Sequence, residues 1–304
     1  MTASVNPAGP EPATPAAGTP DPHALATPGY DPRRTLPLRV EVIRQLRRRR
    51  TMVAFLILLA LPWILVGAFE LGGPPQPGSA PPELLDLATD GGLNFAAFSF
   101  FASASFLLVV AVALFCGDTI ASEANWASLR YLLAAPVPRT RLLRQKMTVA
   151  LGYAAVAVII FPAMSLLAGT VTFGWHPLRL PVTQIELPYG TALARTGITL
   201  VYVMITLLVV AGLAFLLSVT TDSPLGAVGG AVGLVIVSSI LDQVTALGSW
   251  REILPTHWQF AWLDAFSAQL SWGAMVEGAA VSVSYALVLF ALAFRHFRRK
   301  DIVT

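Results

Sequence analysis

The 304-residue sequence has little charge for its length and only one cysteine. Charged residues make up 12% of the chain and apolar residues 55%, whereas soluble domains average about 25% charged residues. The single cysteine, Cys116, excludes an internal disulfide bond and a metal site built from several thiolates. A soluble domain of this size could not bury so much apolar surface, so the composition indicates a protein whose solvent is partly lipid.

Lysine and histidine are also scarce. The two lysines, Lys146 and Lys300, follow glutamine and arginine, so the chain has no GxxxxGK[ST] loop to hold the phosphates of a nucleotide. No carboxylate stands at metal-site helical spacing from any histidine, and these are His23, His176, His257 and His296. We therefore expect no catalytic site, no bound metal and no cofactor in this chain, and any ATPase would be another chain.

Long apolar runs are what the sequence has in abundance. Six windows reach the roughly 17–25 residues that a helix needs to cross a bilayer, and they predict an all-α integral membrane domain over residues 36–304. The predicted spans are residues 51–69, 93–117, 148–173, 194–219, 224–241 and 273–294. Residues 1–35 are rich in proline and alanine and are predicted to be a disordered tail.

The basic residues predict the orientation in the membrane. Seventeen of the 20 lysines and arginines lie before the first span, between the second and third spans, or after the last. This bias places both termini of a multi-pass plasma or inner membrane protein in the cytoplasm. The net charge of +3 gives no reason to expect nucleic acid, because arginines in these positions suit the anionic headgroups of the bilayer.

Residues 36–50 precede the first span and combine apolar and basic residues. The apolar residues recur at helical spacing, and they are Leu36, Val40, Ile43 and Leu46. This pattern favours an amphipathic helix that lies on the inner membrane surface. The alternative is a simple extension of the first span.

The connection between the fifth and sixth spans, residues 242–272, is aromatic rather than polar. Its large rings, divided by Pro255, are Trp250, Trp258, Phe260, Trp262, Phe266 and Trp272. We interpret it as two short re-entrant helices that enter the outer leaflet. A belt of aromatic side chains at the headgroup level is the alternative.

Two further groups of residues in the spans have open interpretations. The fifth span has overlapping pairs of glycines, Gly226 with Gly230 and Gly229 with Gly233, which permit close packing inside the chain or against a second copy. Near the outer end of the second span, an aromatic and hydroxyl stretch could line a path for an amphipathic cargo, or it could simply face lipid. The residues assigned to this path are Phe98, Phe101 and Ser105.

The segment between the second and third spans, residues 118–146, holds too many charges to cross the membrane. Its apolar residues follow a helical period and predict an amphipathic helix through Ile120, Ala124, Ala127 and Tyr131. Pro136 and Pro138 end this helix, and a second helix is predicted from Thr140 into the third span.

This segment resembles the permease subunits of ABC-2-type exporters, also called type-2 ABC exporters. The matching features, in chain order, are Glu123, Ser128-Leu129-Arg130, Leu132-Leu133, Pro136 and the run from Arg139 to Lys146. The six-span topology over residues 36–304 and the ending 297–302 are also similar to that family. Ala127 departs from the pattern, because a glycine is common there.

The resemblance implies that this segment carries a coupling helix, which docks on a separate cytosolic ATPase subunit. ATP and Mg²⁺ would bind to that subunit, and a second permease copy or a homologous permease would complete the translocation path. The residues assigned to coupling are Asp118, Glu123, Trp126, Leu129, Arg130, Tyr131, Pro136, Arg139 and Arg141. Trp126, Leu129 and Tyr131 would be apolar anchors, and Glu123 a structural or interface acid.

Other functions remain as alternatives to the exporter permease. The charged segment could be a membrane-surface helix whose arginines contact headgroups, in a scaffold without transport activity. An ion-coupled secondary transporter would need ionisable residues near the middle of the membrane. Glu277 is the nearest approach to that requirement, and it lies about one turn inside the sixth span.

Overall fold

The computed structural model describes residues 38–72, 87–125, 139–180, 185–267 and 269–299. The predicted tail, residues 1–35, lies outside these ranges. The described chain is helical apart from connections and one pair of two-residue strands. Its eight α-helices are α1 (Leu38–Leu46), α2 (Arg49–Gly72), α3 (Gly92–Ala104), α4 (Leu107–Asn125), α5 (Arg139–Phe173), α6 (Tyr189–Thr220), α7 (Pro224–Asp242) and α8 (Gly273–Arg299).

Six of these helices are long and apolar enough to cross a membrane, namely α2, α4, α5, α6, α7 and α8. Their number agrees with the six predicted spans, and the chain is an all-α membrane protein. The longest, α5, has 35 residues and extends for about 52 Å at 1.5 Å per residue. It connects the two ends of the bundle, which we call the α1 end and the hairpin end.

The second predicted span, 93–117, differs from the structure. The chain there forms two helices, α3 and α4, with a break at Ser105 and Phe106. The helix long enough to cross the membrane begins only at Leu107 and continues to Ala124. A hydropathy window cannot detect the break, because both helices are apolar and the residues at the break, Ser105 and Phe106, are neither charged nor proline.

The helix α4 lies at the centre of the bundle. Of its apolar window, 72% is buried inside the protein, against 17% for α2 and for α7. It packs against α5, α6 and α7, and its buried core face includes Leu108, Val112 and Cys116. Gly117 permits its close approach to α7, since a Cβ atom on Gly117 would meet Val228 Cγ2 at 2.9 Å.

The hairpin end is formed by short connections rather than by long helices. Strands β1 (Leu178–Arg179) and β2 (Glu186–Leu187) pair antiparallel. The Asn94 side chain of α3 donates to the Arg179 carbonyl at 2.9 Å and accepts from the Arg179 N–H at 3.0 Å. This double hydrogen bond fixes the hairpin to the start of α3.

The aromatic connection between α7 and α8 contains two 3₁₀ segments, Thr245–Ile253 and Ala261–Phe266. The two short helical segments therefore exist on either side of Pro255, and their entry into the outer leaflet stays a prediction. The aromatic residues of this connection differ in how deeply they are buried. Trp262 is fully buried against Phe100, Phe101 and Phe266, whereas Trp250 is 72% exposed.

Candidate functional site

Seven charged residues meet at the α1 end of the bundle. We call them the ionic cluster, and they are Glu41, Arg44, Arg48, Arg50, Asp118, Glu123 and Lys146. They come from α1, the start of α2, the end of α4 and the start of α5, with Arg48 in the link between α1 and α2. Four of them are buried, namely Glu41, Asp118, Glu123 and Lys146.

Lys146 is the centre of the ionic cluster. Only 1% of this residue is exposed, although it carries an ammonium group on a long side chain. Its Nζ donates to Glu41 Oε1 at 3.0 Å and also to Glu123 Oε1. Burying an ammonium group costs several kcal/mol unless it is paired, so the two carboxylates are what permits Lys146 to lie inside the protein.

Asp118 connects α4 to the segment that opens α2. Its Oδ2 accepts from Arg48 Nη1 at 2.8 Å, and its Oδ1 accepts from Arg50 Nη1 at 2.6 Å. Arg48 Nη1 also donates to Ser122 Oγ at 2.9 Å, one helical turn after Asp118. Both carboxylate oxygens of Asp118 are therefore engaged by guanidinium groups.

Helix α1 presents its polar face to the bundle and its apolar face outward. Glu41 and Gln45 are 6% and 4% exposed, and Arg44 donates to both Glu41 and Glu123. The exposed apolar residues are Leu38, Val40, Val42, Ile43 and Leu46. This arrangement suits a helix at a membrane surface, where lipid rather than protein covers the apolar face.

The charges of the cluster determine the ionisation of Glu41. Burial by itself would raise the pKa of this carboxyl group, but the positive charges of Lys146 and Arg44 and their hydrogen bonds outweigh it. The pKa of Glu41 therefore lies below its ordinary value of 4.5. The carboxylate form is retained at neutral pH and well into the acidic range.

The sequence spacing explains why these side chains converge. Glu41 and Gln45 are four residues apart, which places them on one face of α1, and Arg48 follows in the link to α2. Lys146 lies four residues after the buried Leu142 and four before the buried Ala150. It therefore belongs to the inward face of α5, and that spacing was the signal in the sequence for its burial.

Only some residues assigned to coupling fall within the described chain. Asp118 and Glu123 belong to the ionic cluster, and Arg141 lies partly exposed in the first turn of α5. Arg139 is the first residue of that helix. The others, Trp126, Leu129, Arg130, Tyr131 and Pro136, lie outside the described residues. The sequence reasoning missed the contributions of Glu41, Arg44, Arg48, Arg50 and Lys146.

Of the three residues assigned to a cargo path, Phe101 and Ser105 both lie near Phe260, whereas Phe98 packs elsewhere. Phe98 packs against Phe69 of α2, with ring centroids 5.5 Å apart. Phe101 packs against Phe260 at 5.5 Å. Ser105 is exposed at the break between α3 and α4, where it lines a cavity of about 370 Å³ together with residues of α7 and Phe260.

The glycines of α7 are largely open to the outside. Within the described chain, a Cβ atom on Gly229 or Gly233 would meet nothing within 4 Å. On Gly230 it would meet Leu217 at 3.1 Å, and on Gly226 it would meet the helix's own cap at Ser223. Packing inside the described chain thus accounts for Gly230 alone, and dimerisation through this face stays a prediction.

Part of the ionic cluster lies within the residues that match a known protein family, and part lies before them. Residues 85–303, from before α3 to the end of α8, match the family described as "Protein of unknown function (DUF2705)". Helices α1 and α2 lie before the matched residues, whereas Asp118, Glu123 and Lys146 lie within them. No curated protein matches the chain. Because the match covers more than half of its length, the chain belongs to the DUF2705 family.

Proposed function

We propose that this chain is the membrane-spanning permease subunit of an ATP-driven exporter, coupled to a separate ATPase subunit through residues 118–146. The observation that carries the proposal is the ionic cluster, which ties both ends of that connection to each other and to α1 and α2. Lys146 of α5 pairs with Glu123 of α4, and Asp118 of α4 pairs with Arg50 of α2.

A motor subunit that pushes on an isolated connection would move that connection alone. Here the connection, residues 126–138, follows Asn125 and precedes Arg139. Paired charges join the helices on its two sides within about two turns of those points. A force on the connection would thus move α1, α2, α4 and α5 together, and such packed elements switch between discrete arrangements rather than deforming continuously.

The proposed orientation puts the α1 end in the cytoplasm, together with both termini. The bias of lysine and arginine toward this end supports that orientation, and ATP is available there. In the complete complex, ATP and Mg²⁺ bind to the partner subunit. A second permease copy, docked on the open glycine face of α7, supplies the other half of the translocation path.

The positions of the buried carboxylates favour this function over an ion-coupled carrier. Among the described residues, the buried carboxylates are Glu41, Asp118 and Glu123, and all three belong to the ionic cluster. Glu277 is exposed in the first turns of α8. A carrier driven by an ion gradient would instead place such groups near the middle of its helices.

Co-purification of an ATPase tests the coupling. The affinity-tagged full chain, extracted from its native membrane, is expected to retain a cytosolic ATPase subunit and ATP hydrolysis. Trp126→Ala should reduce the retained activity by about thirtyfold, which corresponds to the loss of about 2 kcal/mol at an interface hot spot. Trp250→Ala is the matched control, because this tryptophan is 72% exposed in the connection between α7 and α8, and it should leave the complex unchanged.

Deletion of residues 126–138 is a more direct test of the coupling. If the ATPase and its activity co-purify equally with the deleted chain, the coupling proposal is wrong. If no ATPase co-purifies with the intact chain at any salt concentration, the scaffold without transport activity becomes the better explanation.

Cysteine labelling tests the orientation independently. Cys116 is 1% exposed, and Cys116→Ala provides a background without thiols. In intact cells, a membrane-impermeant maleimide should label Ser249→Cys at the hairpin end, whereas Ser128→Cys should react only after lysis. Labelling of Ser128→Cys in intact cells would place this residue outside the cell and exclude coupling to a cytosolic ATPase through residues 118–146.

A further inference from the structure

A cavity of about 510 Å³ lies beside the ionic cluster at the α1 end. Its lining residues are Arg44, Arg48, Arg49, Arg50, Asp118, Ser122 and Glu123. The volume lies within the range of about 300–1,000 Å³ that is usual for small-molecule sites. We call it the arginine cavity, and its lining has four guanidinium groups against two carboxylates.

The carboxylates of the arginine cavity are already paired, but its guanidinium groups are not all used. Asp118 accepts from Arg48 and Arg50, and Glu123 accepts from Arg44. Among the described residues, no carboxylate pairs with Arg49, which is exposed. The Nε atom of Arg44 is buried and has no hydrogen-bond partner in the described chain. The cavity therefore has an excess of donors and of positive charge.

The surroundings of the cavity identify the kind of anion. Arg49 and Arg50 open α2, and three of the apolar side chains that follow are half exposed or more, with Met52 at 50%, Val53 at 53% and Leu56 at 65%. On the other side, Leu46 of α1 is 49% exposed. A ligand in the cavity would thus have a basic pocket at its head and an apolar surface beside its tail.

We infer that the arginine cavity binds the phosphate headgroup of an anionic phospholipid, whose acyl chains lie along α2. Guanidinium groups bind phosphate with two parallel hydrogen bonds, which makes arginine suited to this role. The N-terminus of α2 adds the positive end of its dipole at the same place. This inference requires only a membrane, and it does not depend on an ATPase partner.

Lipid binding to the purified chain tests the inference. The full chain in a nonionic detergent is titrated with dioleoyl phosphatidylglycerol, and bound lipid is counted by native mass spectrometry. Arg49→Gln should weaken this binding about fivefold, as expected from the loss of one basic residue near an anionic lipid. Arg49→Lys, which keeps the charge, should lose less.

Arg47→Gln is the matched control. It removes the same charge two positions earlier, from an exposed residue that does not line the cavity, and it should change the affinity by less than about twofold. Equal losses in Arg47→Gln and Arg49→Gln would show a diffuse basic surface and overturn the inference. No loss in Arg49→Gln would overturn it as well.

Two other ligands separate a lipid site from a general anion site. Dioleoyl phosphatidylcholine, which is zwitterionic, should bind more weakly than phosphatidylglycerol. Glycerol 3-phosphate presents the headgroup without acyl chains and should not displace phosphatidylglycerol at equal concentration. Displacement by glycerol 3-phosphate, or equal binding of the two lipids, would contradict an anionic-lipid site. Unchanged gel filtration and circular dichroism of each variant exclude misfolding as the cause.

Discussion

The two ends of the helix bundle are stabilised by different interactions. At the α1 end, four helices meet through the ionic cluster, with the buried ammonium group of Lys146 at its centre. At the hairpin end, aromatic rings pack around Trp262, and Asn94 hydrogen-bonds the hairpin. A substitution at the first end leaves an uncompensated charge inside the protein, whereas a substitution at the second leaves a void.

Because of this difference, a substitution should affect the stability of the two ends in different ways. A buried network of charges is favourable only while every member has its partners, since one removed partner leaves a costly unpaired charge. Aromatic packing loses stability in proportion to the contacts removed. The α1 end should therefore be most sensitive to the loss of Lys146, which two carboxylates share, and the hairpin end should lose stability in proportion to the packing removed.

Lys146→Met should have the largest effect. It leaves the carboxylates of Glu41 and Glu123 without their shared ammonium group, and removal of one partner of a buried pair costs about 4 kcal/mol. The reaction of the buried Cys116 with a thiol-reactive dye during heating reports unfolding in detergent. Arg144→Met is the control, because Arg144 lies exposed half a turn earlier, and it should stay within about 0.5 kcal/mol of the parent protein. Equal stabilities of the two variants would contradict the central role of Lys146.

Trp262→Ala should follow, with a loss of about 3 kcal/mol. The ring is fully buried and packs against Phe100 at 5.7 Å and Phe266 at 5.8 Å. Trp262→Phe should cost much less, because the indole Nε1 has no hydrogen-bond partner in the described chain. The same dye assay measures both, with Trp250→Ala as the exposed control. A loss for Trp262→Phe as large as that for Trp262→Ala would argue against graded packing.

A pair of alanine substitutions separates packing inside the chain from packing between chains. Gly117→Ala should destabilise the protein by about 1–2 kcal/mol, since its Cβ would meet Val228 at 2.9 Å. Gly229→Ala should not destabilise it, because nothing within the described chain lies within 4 Å of that position. Gly229→Ile should then abolish a dimer in crosslinking experiments while leaving the melting temperature unchanged. A lowered melting temperature with an intact dimer would disprove the assignment of this face to a second copy.

Glu41→Gln should have the smallest effect on stability, and that effect should depend on pH. This substitution should lower the stability by about 1 kcal/mol at neutral pH, because Lys146 keeps Glu123 as a partner. The pKa of Glu41 is held below 4.5 in the folded protein, so its contribution is fully present above that pH and is lost as the pH falls through the lower folded-state value. The difference between the parent protein and Glu41→Gln should thus stay constant from pH 7 to pH 5 and shrink below pH 4.5. A difference that shrinks already near pH 6 would show that Lys146 and Arg44 do not dominate the titration.

The sequence was sufficient for the features that depend on hydropathy alone. Six span-capable helices follow from six long apolar windows, and the fifth begins at Pro224 because Ser223 caps it, accepting from the Gly226 N–H at 3.1 Å. The helix of residues 38–46 was also predictable from its apolar period. Its docking was not, because periodicity shows which residues share a face but not which element that face meets.

Two features could not be read from single-sequence patterns. The break at Ser105 lies inside one continuous apolar run, and α3 before it packs mainly against α5, whereas α4 after it packs against α5, α6 and α7. The pairing of Lys146 with Glu41 joins residues 105 positions apart. Apolar residues four positions before and after Lys146 indicate that it lies on a buried face of the helix. They do not show which carboxylates it pairs with, because those belong to other helices.

The distance in sequence between these partners also bears on biogenesis. Helix α1 emerges from the ribosome long before Lys146 is synthesised, so Glu41 has only Arg44 of its own helix as a partner while the first crossings are inserted. During that time, the exposed apolar residues of α1 permit it to bind to the lipid surface. The pairing of Glu41 with Lys146 must then wait for the synthesis of α5, and a crosslink between α1 and α5 reports that α5 has joined the bundle.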